Sequence, residues 1–221
     1  AVRQLRRVLG DMIAVRPFQF YSLSAAILSE SSSATREMND LATRQLARGA
    51  LARLHEREEL STFATMLDKP GFVDVLVDWL REMKTQGITP EQVAAHVGDN
   101  ERDGQLARFY ARYQAALNEG DCADADGLLW LAAEAVERDA RLLGSAGELI
   151  IAGFDQFSPV QLRIVAALAR RMPVTVYLLW DPARSDASLA LSRLAPTRRA
   201  LLETLRPVEI AISGAEHCGP M

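Results

Sequence analysis

Histidine and cysteine are scarce in this chain, and each shortage removes a class of chemistry. Three histidines, His55, His96 and His217, are scattered over 221 residues and offer no catalytic triad. Two cysteines, Cys122 and Cys218, share no CxxC spacing, and only His217 stands beside one of them. A reduced pair is therefore expected rather than a zinc site. Neither GxSxG nor HExxH occurs, which excludes the hydrolase nucleophile elbow and the metalloprotease zinc helix. Asp124 and Asp126 open like a calcium loop, but no ligands follow at its later positions. No apolar run reaches the roughly 18 residues of a membrane helix, and AVRQLRRVLG at the start has no secretory core. A cytoplasmic protein with no membrane partner is expected. A phosphate-cradling GxxxxGK(S/T) loop is missing too, and so is any solenoid-length repeat.

What is present suits a folded domain. The composition is 49% apolar and 24% charged, enough to bury one sizeable core or two small ones. A net charge of −4 argues against a strongly basic nucleic-acid-binding domain, while leaving room for a local basic groove.

The most informative stretch is residues 148–161, ELIIAGFDQFSPVQ. Leu149, Ile150, Ile151 and Ala152 are apolar without alternation, as in a strand buried on both faces of a parallel sheet. Gly153 ends the run. Ser158 suits a helix N-cap, Pro159 the first helical position, and Gln161 closes a capping box, so the order is strand, short loop, helix. In nucleotide-hydrolysing α/β domains an Asp and a Glu follow such a strand, holding Mg²⁺ and polarising water. Here those places read Ala152 and Gly153.

This segment resembles the Walker B motif of superfamily 1 DNA helicases, hhVDEFQDTNxxQ, with Ile151, Phe154 and Gln161 in agreement and the acidic pair replaced. The wording GFDQFSPVQ is most similar to the B subunit of AddAB/RexAB-type ATP-dependent helicase/deoxyribonucleases, in which a helicase-like fold is kept and its motor has decayed. Two further segments carry the resemblance. Residues 19–28 have the layout of motif Ib, vGTFHSLAxxIL, with Phe20, Ser22, Leu23, Ile27 and Leu28 matching while Gln19 and Tyr21 replace Thr and His. Residues 69–93 look like the accessory helical subdomain of the same group, and Asp124 stands where that group places a helix-starting Dxxdll.

The fold expected is α/β: a RecA-like parallel sheet, incomplete as a P-loop NTPase, with a large all-helical inserted subdomain. Residues 1–28 and 145–215 would form the α/β core, with strands near 14–19, 148–152, 174–180 and 208–212. Residues 35–142 would form the insertion and 216–221 a tail. Amphipathic helices are expected over 1–13, 36–57, 72–84, 106–117 and 193–206. After the second core strand an active motor would carry motif III, where this chain has Trp180-Asp181-Pro182-Ala183-Arg184.

The resemblance implies a non-hydrolysing, helicase-like piece of a larger DNA-handling subunit. Its work would be end processing of double-strand breaks and recombinational repair, beside a motor subunit and without a cofactor in this segment. The start at Ala1 without Met fits an excised piece. Single-stranded DNA would be met by Gln19, Phe20, Tyr21 and Ser22, with Arg44 and Arg48 as phosphate partners. Two plainer readings stand beside these. Phe20 and Tyr21 also suit a strand–helix joint in the core, and the arginines of 36–57 a solvated helix face. Two other functions stay open: a scaffold that docks a motor subunit without touching DNA, and an active ATPase whose phosphate loop lies upstream.

Overall fold

A computed structural model describes residues 16, 18–31, 33–178 and 194–206. The expected helix over 1–13, positions 14, 15 and 17 of the strand near 14–19, the 180–184 segment, the strand near 208–212 and the tail lie outside these residues, and positions 16, 18 and 19 are not in a strand.

Two hydrophobic clusters organise the rest. The first is built on helix α1 (Phe20–Glu30), whose Phe20, Leu23, Ser24, Ile27 and Leu28 recur at helical spacing and are buried. Phe20 is therefore the first residue of a helix, not the last of a strand. Helix α6 (Ala125–Arg138) lies against α1, and its Ala132, Ala133 and Ala135 allow close approach.

Strand β3 (Leu149–Ala152), helix α7 (Pro159–Ala169) and strand β4 (Val174–Tyr177) form a parallel β–α–β unit on the same cluster, with Leu149 opposite Val174 and Ala152 opposite Tyr177. Helix α8 (Ala195–Leu205) packs on α7. The capping box of α7 forms as its sequence demands: Gln161 N–H donates to Ser158 Oγ at 3.2 Å and Ser158 N–H to Gln161 Oε1 at 3.0 Å.

The double burial expected of 149–152 is not observed. Leu149, Ile151, Val174 and Val176 face the cluster, but Ile150 is 61% exposed and Tyr177 64%. Among the described residues, helices cover only one face of these paired strands. The small parallel sheets place the protein among mixed, mostly helical α/β folds.

The second cluster is helical. Strand β1 (Arg36–Glu37) leads into helix α2 (Asp40–Glu56), capped by Asn39, whose Oδ1 accepts from Ala42 N–H at 2.9 Å. Arg36 thus lies on a strand, outside the helix expected from 36 onward. Helices α3 (Phe72–Thr85), α4 (Pro90–Ala95) and α5 (Glu101–Glu119) complete the cluster around Leu54, Leu76, Leu80, Phe109, Tyr110 and Tyr113.

β1 pairs in parallel with strand β2 (Cys122–Ala123). Residues 35–142 are accordingly not purely helical, and α6 within them shares its core with α1 and α7. The sequence marks Asp124 as a helix start, but not which neighbours cover that helix.

A buried polar joint links the helical cluster to the start of α6. Lys84 is 1% exposed, and its Nζ donates to Asp124 Oδ2 at 2.7 Å. Tyr113 Oη donates to the same oxygen at 2.7 Å, while Asp124 Oδ1 caps α6 by accepting from Gly127 N–H at 2.7 Å. Trp130 Nε1 donates to the Lys84 carbonyl oxygen at 2.7 Å, and its ring touches both clusters. Glycine is required at 127, since a Cβ there would stand 2.8 Å from Asp124 Oδ1.

Burial pulls the Lys84 ammonium below its usual range and Asp124 opposes that pull. Burial, with Asp124 second, pushes the Tyr113 phenol up and raises the Asp126 carboxyl.

Candidate nucleic-acid interface

At the carboxyl end of β3 the chain turns through Gly153, whose φ of 78° lies in the left-handed region that glycine adopts without strain. Ala152 and Gly153 are both exposed and bring no charge to this tip. Three contacts hold the following loop. Phe154 and Phe157 meet Phe20 edge-on, with centroids 5.1 and 5.9 Å away, and stack obliquely on each other at 5.6 Å. Thr197 Oγ1 donates to the Asp155 carbonyl oxygen at 2.7 Å. The capping box of α7 fixes the far end. Among the described residues, no group of three or more His, Cys, Asp or Glu side chains is placed to hold a metal ion.

The Phe20 cluster joins two segments far apart in sequence, the loop after β3 and the start of α1. At that start Phe20 is 8% exposed, so its ring belongs to the core and offers no face for stacking. Ser22 is exposed, but its hydroxyl is engaged with the Gln19 backbone, accepting from the N–H at 2.9 Å and donating to the carbonyl at 3.0 Å. Gln19 is exposed at the cap position, and Tyr21 is 36% exposed.

Phe18, which the motif comparison passed over, is 40% exposed. Once the helix begins at 20, the aromatics at 18 and 21 fall outside the buried stripe that Phe20 enters. The helix start was the signal that could have shown this. The first turn of α1 carries no acidic side chain, so nothing there repels a phosphate from its N–H groups.

Arg44 and Arg48 lie exposed on α2, in the other hydrophobic cluster. Arg44 is held by Asp74, Nε to Oδ1 2.7 Å, while both side chains stay about half exposed. The packed core around residues 18–22 does not include them.

The described residues thus form a mostly helical α/β body with a parallel β–α–β unit, whose first strand ends on uncharged Ala152 and Gly153. A family profile described as "ADDB, N-terminal" matches residues 5–218, and the chain belongs to that family. Several curated relatives are each named as the B subunit of an ATP-dependent helicase/deoxyribonuclease. Among them the protein of Pelotomaculum thermopropionicum is 31% identical over 186 residues, covering 79% of this chain and 16% of the relative. That of Heliobacterium modesticaldum is 30% identical over 232 residues, covering 96% and 18%. The Geobacillus kaustophilus protein is 29% identical over 224 residues, covering 92% and 19%. The chain therefore spans less than a fifth of the length of these relatives. No described helix is long and apolar enough to cross a membrane.

Proposed function

We propose that this chain is the helicase-like, non-hydrolysing N-terminal part of the B subunit of a helicase/deoxyribonuclease. In this reading a RecA-like sheet, with β3 and β4 as two of its strands, serves as a platform rather than an engine. The domain handles single-stranded DNA in the cytoplasm beside a motor subunit, during double-strand-break end processing and recombinational repair, and takes no cofactor of its own. One observation carries it. Uncharged Ala152 and Gly153 occupy the strand tip where a motor needs acids, and the loop behind them is packed by Phe154 and Phe157 onto the helix whose start exposes Phe18 and Tyr21.

Fluorescence anisotropy with a labelled oligothymidylate tests this at several salt concentrations. Tyr21→Ala and Phe18→Ala should each weaken binding by about 1–3 kcal/mol, the value of one base–aromatic stack. Arg48→Ala should instead lower the slope of log K against log salt by about 1, as expected for a lost phosphate contact. Absence of binding even at low salt would favour the scaffold that docks a motor subunit alone. Steady ATP hydrolysis by the chain would instead revive the motor.

A further inference from the structure

A cavity of about 540 Å³ lies in the helical body, where the end of α3, one side of α4 and the first turns of α5 meet. Trp79, Met83, Ile88, Val93, Val97 and Leu106 give it apolar walls, and each is only partly buried. The walls are firmly held. Trp79 meets Tyr110 edge-on at 5.9 Å, and Tyr110 Oη donates to the Ile88 carbonyl oxygen at 2.8 Å. The Thr89 and Gln92 capping box fixes the short helix α4. This trench is thus a standing feature of the fold. Its tryptophan and methionine are residue types that dominate protein-binding hot spots and helix-receiving grooves.

The rim is rich in acceptors. His96 Nδ1 sits 2.7 Å from the Gln92 carbonyl oxygen, which can only accept, so Nδ1 carries the proton and Nε2 keeps its lone pair in the neutral ring. Asp103 takes one hydrogen bond from Asn100 Nδ2 at 2.9 Å and remains exposed. On the same segments Glu82, Glu91 and Asp99 are exposed, Glu101 is paired with Arg108 Nη2 at 2.7 Å, and Arg102 is the one exposed Lys or Arg between residues 82 and 103. Lys84 is buried and paired with Asp124. An apolar floor with an anionic margin fits an occupant of the opposite pattern.

We propose that this trench is a docking site for a partner protein's amphipathic helix, which lays bulky apolar side chains on Trp79, Val93 and Leu106 and sets Lys or Arg against Glu91 and Asp103. The proposal is independent of DNA handling at α1. Its test uses two model peptides of equal length, one a leucine/lysine amphipathic helix and the other the same sequence with glutamate for lysine, titrated into ¹⁵N-labelled chain.

The lysine peptide should shift amides of residues 79–106 saturably, and the glutamate peptide should not. Glu91→Gln with Asp103→Asn, both exposed and outside the core, should weaken the lysine peptide about fivefold. Val93→Ser should weaken it further while the remaining amide spectrum stays that of the folded chain. Equal binding of the two peptides would overturn the proposal. So would unsaturable shifts spread over the whole acidic surface, an affinity indifferent to these substitutions, or shifts at 79–106 produced by a single-stranded oligonucleotide instead.

Discussion

Asp124→Ala is expected to lower the unfolding free energy by about 3–5 kcal/mol, the usual cost of removing one partner from a buried ion pair. Three losses coincide in that substitution. Lys84, 1% exposed, keeps a charge with no carboxylate at 2.7 Å to meet it. Tyr113 Oη loses its acceptor, and α6 loses the side chain that caps Gly127 N–H. The cap alone is worth about 1 kcal/mol, so most of the effect must come from the stranded ammonium.

Lys84→Met should cost clearly less, because it removes the desolvated charge and leaves Asp124 its bonds to Tyr113 and Gly127. Combining Lys84→Met with Asp124→Ala should therefore be milder than the sum of the two. Urea unfolding of the three variants with a constant m-value measures this directly. Additive losses would show that the pair acts as two separate groups. The linkage has a definite sign. Because burial depresses Lys84 below its unfolded value, the stability tied to its neutral form is complete above that unfolded value and is lost as pH falls through the depressed one.

The second large effect belongs to Phe20→Ala, expected to cost about 3–5 kcal/mol as a buried aromatic truncation. Phe20 is 8% exposed and meets two rings, so the cavity would open under both the loop after β3 and the first turn of α1. Tyr21→Ala, at a position 36% exposed, should change stability by less than about 0.5 kcal/mol. That contrast matters for any DNA-binding experiment. Weak binding by Phe20→Ala would report a loosened site, whereas weak binding by Tyr21→Ala at unchanged melting temperature would report a lost contact. Thermal melts of both variants should precede the anisotropy measurements, and equal stability of the two would refute the placement of Phe20 in the core.

The residues that sequence reasoning read well act within one turn of chain. Ser158 with Gln161 and Asp124 at the head of α6 both cap helices through bonds between residues three apart, and each forms as expected. Features that depend on distant partners were not legible. Lys84 stands in an amphipathic run that gives no hint of the carboxylate 40 positions later. Parallel pairing of Arg36 with Cys122 needs strands of only two residues, too short to leave a pattern. The exposure of Ile150 could not be seen either, because an unbroken apolar run looks the same whether one face or both are covered. Within Phe18-Gln19-Phe20-Tyr21 the aromatic residues were evident, but which ring turns inward is set by where α1 begins.

Paramagnetic broadening tests the acid-free strand tip most directly. With Mn²⁺ and ATP added to ¹⁵N-labelled chain, amides of residues 151–158 should keep the same relative intensity as those elsewhere in the fold. Selective loss of those signals, saturating with added Mn²⁺·ATP, would place a metal-bound nucleotide beside Ala152 and Gly153 and contradict a platform without an engine.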